Sequence, residues 1–383
     1  AGDGRLVNWD IFNQHIFTGY GRDNYQLGRV PPSELAEGFA VRIESGGQTT
    51  ERTLDIEGFP QLRFCGEYPL GRVEYRDESL PLAIELLAYS PFIPLNEEDS
   101  ALPATVLQFS LKNRSDQRVT ATLAGWLENG VCRNSGQTLN GIRRNQVVRR
   151  DQMTMILGTA RAADAPQTVR KPIVLADFEG GDYGAWQVEG EAFGRGPASG
   201  TLDRQQAVSG FRGKGLVNTY LGGDDQLQGR LRSPEFTVDR HFISFLIGGG
   251  SHAGKTCMNL LVAGKVVRTA VGQNKEPLTW HNWNVREFAG QQARLEIVDQ
   301  ASQGWGHINI DQIELCDQPA GDVAGPIEEQ ADFGSMGLAL LDDSGDARTV
   351  TSLARGAPRD VVFASDETAS AASAERPFGE TLY

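Results

Sequence analysis

The feature that most limits the fold is a succession of short apolar or alternating segments separated by turn residues, with no long stretch of helical periodicity. Glycine makes up 45 of the 383 residues, well above the ~7% of an average protein. Strand-length segments fill the first third of the chain: 39–43, 62–65, 72–75, 82–89, 104–111 and 118–125. Alternation of apolar and polar residues is typical of a strand with one buried and one solvated face. The pattern predicts an all-β protein made of β-sandwiches.

Charge and composition narrow the classes of partner. The chain has 36 basic and 50 acidic residues, a net charge of −14, which repels phosphate backbones and anionic lipids. We therefore expect no nucleic-acid partner and, since no apolar run approaches ~18 residues, no membrane span. The four cysteines form no CxxC pair and have no histidine at zinc-ligand spacing, so we expect buried free thiols.

A second run of strand-like segments begins near Lys171 and closes at Asp317. Its first and last segments are placed to pair, and a Gly/Pro/Asp-rich stretch follows. Residues 334–341 then resemble residues 153–158 in character, and we predict that the two pair. Close termini allow one domain to be inserted in a loop of another. We predict a discontinuous β-sandwich over residues 1–172 and 326–383, an inserted jelly-roll-like sandwich over 173–317, and a linker over 318–325.

Motifs for catalysis are weak. The sequence has no Gly-x-Ser-x-Gly with an ordered Asp and His after it, and no His-Glu-x-x-His. Residues 249–256 read GGSHAGKT, which matches the phosphate-loop pattern letter for letter. A strand-length apolar run over 257–262 follows, whereas a phosphate loop requires the start of a helix. We therefore interpret this segment as a glycine-rich loop of a sandwich, and spacing predicts no catalytic residue.

Carbohydrate binding has better candidates. Proteins bind sugars with an aromatic face beneath the apolar side of the ring and with planar polar side chains on its hydroxyls. The second unit has three tryptophans and two histidines that could serve this purpose. Trp280 and Trp283 are near neighbours in sequence, Trp305 and His307 are near neighbours further on, and His252 lies in the Gly-rich segment. Trp280 and Trp283 cannot point the same way on one strand, so at least one belongs to the core. For each tryptophan, core packing is the alternative to ligand contact.

Two acidic residues suggest a metal. Glu179 lies on the first strand of the second unit and Asp311 on its last strand. Carboxylates and backbone carbonyls are the ligands that calcium prefers, and paired outer strands of jelly-roll sugar-binding modules often hold a structural calcium in this way. We predict such a site at Glu179 and Asp311; the alternative is a solvent-facing pair of acids.

Three segments carry a resemblance to a known family. They are residues 4–13 (GRLVNWDIFN), residues 66–77 (GEYPLGRVEYRD) and residues 87–103, which contain LAYSPFIPLN and DSALP. These resemble the N-terminal domain of glycoside hydrolase family 116, the family of non-lysosomal glucosylceramidases and bacterial β-glucosidases. The resemblance covers about residues 1–165 and resumes at about 330.

The resemblance implies a β-sandwich that packs on a C-terminal (α/α)6 barrel, where a glutamate nucleophile and an aspartate acid/base hydrolyse β-glucosides with retention. This chain departs from the family because it lacks the opening glycine-rich strand, contains residues 173–317 in addition, and ends before a barrel begins. No catalytic residue of the family can be placed on it. Hydrolysis is therefore expected of a longer polypeptide only.

The second unit has a resemblance of its own. Residues 186–194, 233–236, 245–250, 255–262 and 304–311 are similar to the β-sandwich module attached to levanases and other fructan hydrolases of glycoside hydrolase family 32. Such modules are jelly rolls, and some bind the terminal fructose of fructans. The resemblance implies a β-glucoside or fructan-like glycan as ligand, but it assigns no ligand residues.

Together these observations predict the non-catalytic front of a β-glucosidase-like enzyme with an inserted carbohydrate-binding domain that raises the local concentration of substrate. Two alternatives stay open: an insert that only mediates oligomer contacts, and a complete enzyme with an unrecognised site between the sandwiches. The polysaccharide-type module favours an extracellular or periplasmic location, although the resembled family also has intracellular members. No cofactor is expected for catalysis.

Overall fold

The computed structural model describes residues 35–164, 169–321, 325–341, 347–353, 362–363 and 372–382. The resembling segment at residues 4–13 lies outside these ranges. Among the described residues, no helix has the length and apolar character needed to cross a membrane. The described chain is almost entirely β-structure, as the sequence predicts.

Nine strands lie between residues 35 and 164, the first range that the structure describes. They are β1 (Glu37–Ser45), β2 (Gln48–Thr53), β3 (Gln61–Glu67), β4 (Leu70–Arg76), β5 (Leu82–Tyr89), β6 (Val106–Asn113), β7 (Val119–Leu127), β8 (Gly141–Arg150) and β9 (Met153–Ala162). A four-residue helix α1 (Glu97–Ser100) and a 3-10 turn (Ser135–Gln137) lie between them.

The rest of the described chain contributes a further set. They are β10 (Ile173–Ala176), β11 (Gln187–Gly190), β12 (Val217–Asn218), β13 (Gly229–Arg232), β14 (Phe236–Thr237), β15 (Phe242–Gly249), β16 (Thr256–Val262), β17 (Lys265–Ala270), β18 (Lys275–Asn284), β19 (Gln292–Asp299), β20 (Ile308–Cys316), β21 (Met336–Leu341) and β22 (Ser373–Pro377). Short 3-10 turns lie at Leu221–Gly223, Arg286–Phe288 and Ile327–Glu329.

Two antiparallel sheets form the first sandwich. Sheet I has the order β2-β1-β7 and sheet II the order β3-β4-β5-β6. Every second residue of β1 and β5 faces inward, so that Val41 and Ile43 share one core with Ile84 and Leu86. The outward side of β3 stays in water, which exposes Cys65. The expectation of a buried thiol was therefore wrong for Cys65, because β3 is the edge strand of its sheet; the other three cysteines are buried.

Sheet III joins distant parts of the chain, in the order β21-β9-β8-β22. Strand β21 pairs antiparallel with β9, in a register that runs from Met336 opposite Gly158 to Leu341 opposite Met153. This confirms the predicted pairing of residues 334–341 with residues 153–158. The chain therefore leaves this sheet after β9 and returns to it with β21.

The strands between β9 and β21 form two further sheets, which we call the second sandwich. Sheet IV has the order β10-β20-β15-β18, with β12 also on β20; sheet V has the order β11-β13-β19-β16-β17, with β14 on β19. The first strand pairs with the last, with Ile173 opposite Leu315, as predicted. Because β16 follows the phosphate-loop-like segment directly, that segment leads into a strand. The domain boundaries themselves stay a prediction.

Sheet IV is covered on both faces. Phe245 and Trp283 point into the core shared with sheet V. Leu246 and Leu278 point the other way and pack with Val208 and Leu216 from the long segment between β11 and β12. Because both faces of sheet IV are covered, every residue of β15 is buried. A strand in this position needs a nearly continuous run of apolar residues.

The second sandwich contacts the rest of the chain at the end of β18. The fully buried Asn284 donates from Nδ2 to the backbone oxygens of Gly136 (3.2 Å) and Phe378 (2.8 Å). Gly379 has a φ of +86°, and a Cβ there would lie 2.2 Å from Asn284 Oδ1. This close approach requires glycine, so one amide side chain fixes the position of the segment after β22.

We predict that Asn284→Ala lowers the free energy of unfolding by about 1–3 kcal/mol, because two buried carbonyls lose their donor. The measurement is urea denaturation followed by tryptophan fluorescence. Gln291→Ala is the matched control, since Gln291 is exposed and its side chain donates a long 3.4 Å bond to the backbone oxygen of Glu287. Equal effects of the two substitutions would contradict the assignment.

Candidate functional site

The loops at one end of the second sandwich converge on His307, the residue before β20. The Trp305 ring stacks on His307 with a centroid distance of 5.7 Å and an interplanar angle of 28°. Tyr220 meets the imidazole edge-on at 4.8 Å. Gln226 also donates to the backbone oxygen of Ser302 at 3.2 Å. We call this region the loop end.

His307 is 3% exposed and lies between two carboxylates. Its Nδ1 is 2.7 Å from Asp225 Oδ1, and its Nε2 is 3.2 Å from Glu276 Oε1. Burial lowers the pKa of His307, but the hydrogen bonds to Glu276 and Asp225 outweigh it and raise the pKa overall. With both nitrogens donating, the ring is an imidazolium that holds the loop to the strands. His307 therefore has no free nitrogen for a sugar hydroxyl, contrary to its predicted use as a ligand contact.

A chain of amides extends from this ion pair. Glu276 Oε2 accepts from Asn309 at 2.8 Å and from Gln205 at 3.0 Å. Gln205 and Asn218 bond to each other through both their amide groups. These partners come from β12, β18, β20 and the loop at Gln205. The network thus ties four separate segments together.

Two of the predicted sugar contacts keep part of their surface exposed at the loop end. Trp305 is half-buried and has a φ of +63°, a backbone conformation that is uncommon outside glycine. His252 is also half-buried, and its Nε2 is 3.2 Å from the backbone oxygen of Gly304. The structure therefore brings His252, Trp305 and His307 together at the loop end.

The other two tryptophans lie elsewhere on β18. Trp283 is 3% exposed and packs against Phe245 with ring centroids 4.7 Å apart, so it offers no face to a ligand. The Arg212 guanidinium lies 5.0 Å from the centre of the Trp280 ring. A Cβ on Gly321 would come within 2.4 Å of Trp280 Cδ1. Trp283 is covered by protein, and we correct its predicted assignment as a sugar contact. Trp280 is half-buried, with Arg212 and Gly321 against its ring, and its assignment stays a prediction.

Glu179 and Asp311 bind the same loop. Glu179 Oε1 accepts from the backbone nitrogens of Lys214 and Gly215, each at 2.8 Å. Asp311 Oδ2 accepts from the nitrogen of Arg212 at 2.7 Å. Glu179 is exposed, but Asp311 is fully buried, which excludes the alternative of two solvent-facing acids.

Asp311 is the better candidate for a cation ligand. Its Oδ1 is buried with no hydrogen-bond partner. Burial, with the nearby charges of Glu179 and Asp177, raises its pKa to about 6. In the described ranges, however, no group of three or more His, Cys, Asp or Glu side chains is placed to hold a metal ion. Calcium at Glu179 and Asp311 stays a prediction, and backbone oxygens would have to complete it.

Sequence reasoning missed the partners of His307. Asp225, Glu276 and Asp299 are buried or half-buried acids at the loop end, yet they lie 82, 31 and 8 residues from His307 with no pattern that connects them. Carboxylates of this kind can be recognised as partners of His307 only once the pairing of the strands is known. Tyr220 was missed for the same reason, because its contact with His307 depends on β12 pairing with β20.

Asp299 makes the stability of the fold depend on pH. It is 1% exposed, and its Oδ1 has no partner. Burial raises its pKa to about 7 against the opposing effects of Thr219 and His307. An unfolded aspartate has a pKa of about 3.9, so between about pH 4 and pH 7 the folded state binds the proton more tightly. Stability therefore falls as the pH rises through this window.

We predict that Asp299→Asn removes this cost, so that the melting temperature of the variant rises relative to that of the unsubstituted protein between pH 4.5 and pH 7.5. Differential scanning fluorimetry across the pH series measures the difference. Asp151→Asn, at an exposed turn, is the control and should show a constant difference. A pH-independent difference for Asp299→Asn would refute the assignment.

Comparison with known proteins finds a family match over nearly half of the chain. Residues 1–188 match the family described as beta-glucosidase 2, glycosyl-hydrolase family 116 N-term. The chain is 44% identical over 144 residues to the putative glycosyl hydrolase ecdE of Aspergillus rugulosus, covering 37% of this chain and 20% of that protein. The chain thus spans about a fifth of this curated relative.

Solved structures give weaker likenesses, which carry no argument here. The K3 cleaved adhesin domain of Lys-gingipain from Porphyromonas gingivalis is 15% identical, covers 38% of this chain and all of that chain, and has a TM-score of 0.28. The C-terminal extracellular domain of Mycobacterium tuberculosis EmbC is 14% identical, with coverages of 40% and 63% and a TM-score of 0.25. On the family match and the identity to a glycosyl hydrolase, residues 1–188 are similar to the N-terminal domain of glycosyl-hydrolase family 116.

Proposed function

We propose that this chain is the non-catalytic N-terminal part of a glycoside hydrolase of the β-glucosidase or glucosylceramidase type, and that residues 173–317 are an inserted carbohydrate-binding domain. The family of residues 1–188 supports a glycoside-hydrolase role. The observation that carries the non-catalytic part is an apolar surface on the first sandwich, which suits packing against another domain.

This apolar surface lies at the β3–β4 turn and in the segment after β5. Tyr68 is 81% exposed and Phe92 is 50% exposed, and their rings pack edge-on with centroids 5.5 Å apart. Phe64, Leu70 and Ile93 are also exposed. Exposed apolar clusters of this kind mark interaction surfaces. The segment that resembles family 116 most specifically, residues 87–96, contributes Phe92 and Ile93 to it.

We predict that this chain alone does not hydrolyse an aryl β-glucoside, whereas a polypeptide that continues into a catalytic domain does. In that longer polypeptide, Tyr68→Ser and Phe92→Ser should lower the temperature at which activity is lost, while the melting temperature of the present chain changes little. Val188→Ser, an exposed apolar residue on β11, is the control. Turnover by the present chain would overturn the proposal in favour of a site between the sandwiches.

The loop end supports the carbohydrate-binding part of the proposal. Trp305 and His252 offer an aromatic ring and an imidazole beside each other, the residue types that contact the apolar face and the hydroxyls of a sugar. Trp305 stacks on the buried His307, and His252 contacts the backbone oxygen of Gly304. A ligand held there would keep a linked enzyme near polymeric substrate and raise its effective concentration.

We predict saturable heat when the chain is titrated with levan or β-glucan oligosaccharides, and a loss of roughly ten-fold or more in affinity with Trp305→Ala. Trp283→Phe should bind as the unsubstituted chain does, because that ring is buried in the core. Weaker binding after chelation would support calcium at Glu179 and Asp311. No heat with any sugar, together with concentration-dependent sedimentation, would favour a contact domain instead.

A further inference from the structure

A cleft opens beside Tyr220 at the loop end. It has a volume of about 480 Å³ and is lined by residues 201–204 on one side and residues 220–223 on the other. This volume falls in the range of small-molecule sites, roughly 300–1,000 Å³. None of the residues that the sequence analysis singled out lies in its lining.

Both walls of the cleft are held by one pair of amides, the buried Asn218 and the half-buried Gln205. Gln205 closes the first wall by accepting from the nitrogen of Leu202 at 3.1 Å. Asn218 accepts from the nitrogen of Tyr220 at 3.2 Å, which positions the second wall, and donates to the oxygen of Gly200 at 3.1 Å. Since Gln205 and Asn218 also bond to each other, the two walls cannot separate without breaking these hydrogen bonds. The cleft is therefore preorganised.

The backbone of the walls is also specialised. Arg204 has a φ of +63°, in the region that favours glycine. Opposite it, Gly223 has a φ of +79°, and a Cβ there would lie 3.2 Å from Arg204 Cδ and 3.3 Å from the oxygen of Asp203. Glycine at position 223 leaves room for Arg204 to lie against the facing wall. A non-glycine residue in this conformation is uncommon and often found where a ligand is bound.

The side chains of the cleft favour a neutral, hydroxyl-rich ligand. In the part of the chain that the structure describes, Asp203 and Arg204 are exposed and their side chains bond to no protein group, so a donor and an acceptor are both available. Tyr220 supplies a half-buried aromatic ring. Asp224 and Asp225 follow the second wall directly, which places more acidic than basic charge around the cleft and disfavours anionic ligands.

We propose that this cleft binds a single sugar residue, with the Tyr220 ring against its apolar face and with Asp203 and Arg204 on its hydroxyls. The inference rests on the proposed carbohydrate-binding function and gives that function a location. Trp305, which stacks on His307, does not line this cleft. In this arrangement Trp305 contacts the further sugar residues of a longer glycan.

The test is calorimetric titration of the full chain with 1-kestose and with cellotriose. Tyr220→Ala and Arg204→Ala should each weaken binding roughly ten-fold or more, while Tyr220→Phe, which keeps the ring, should stay within roughly three-fold. Lys265→Ala is the control, because Lys265 is exposed at the β16–β17 turn, at the opposite end of β16 from the loop end. Melting temperatures of all variants establish that each is folded.

Two outcomes would overturn the inference in different ways. If the chain binds either sugar and the Tyr220→Ala and Arg204→Ala variants bind as tightly, the cleft is not the site, although carbohydrate binding stands. If the unsubstituted chain gives no heat with either sugar, the carbohydrate-binding function fails and the cleft assignment fails with it.

Discussion

The second sandwich depends on the two faces of β20. Ile308, Ile310, Ile313 and Leu315 enter the core between sheets IV and V. The other face carries Asn309 and Asp311, both fully buried. The alternation shifts by one residue near Gln312, where the register with β15 is irregular and φ is +47°, as a bulge allows. A polar face that is buried needs hydrogen bonds. Glu276 of β18 accepts one from Asn309, and Asp311 Oδ2 accepts one from the nitrogen of Arg212, whereas Asn309 Oδ1 and Asp311 Oδ1 have no partner.

The cost of burying that polar face explains the composition of the loop end. A carboxylate in the interior destabilises the fold unless a positive charge or donor faces it. Glu276 and Asp225 are matched by the imidazolium of His307, whereas Asp299 has one unpaired oxygen and a raised pKa. Replacement of such a cluster by apolar residues is often stabilising. We infer that the cluster is kept because it specifies the position of the loops, which form the cleft.

The sequence predicted the strands, the all-β class and two long-range pairings, because alternation and apolar runs report which face of a strand is buried. It also predicted that Trp280 and Trp283 point in different directions. It could not show that Arg212 covers Trp280, since that contact depends on a loop between β11 and β12. The partners of His307 were equally inaccessible, because they meet only when β18, β19 and β20 are in register. The local sequence pattern therefore predicts the strands, whereas the candidate site at the loop end is formed by contacts between residues far apart in the sequence.

The two sandwiches divide the surface into different kinds of face. The first sandwich exposes aromatic and aliphatic side chains that cluster around Tyr68 and Phe92, a surface suited to permanent burial against another domain. The loop end of the second sandwich exposes charged and aromatic side chains above the buried hydrogen-bonded cluster around His307. Such a surface suits reversible binding of a ligand. Asn284 joins the second sandwich to the segments at Gly136 and Phe378 through bonds that are all buried. Because these bonds are buried, they hold the second sandwich against the segments beside sheet III, so the connection between the two does not depend on the chain linkers alone.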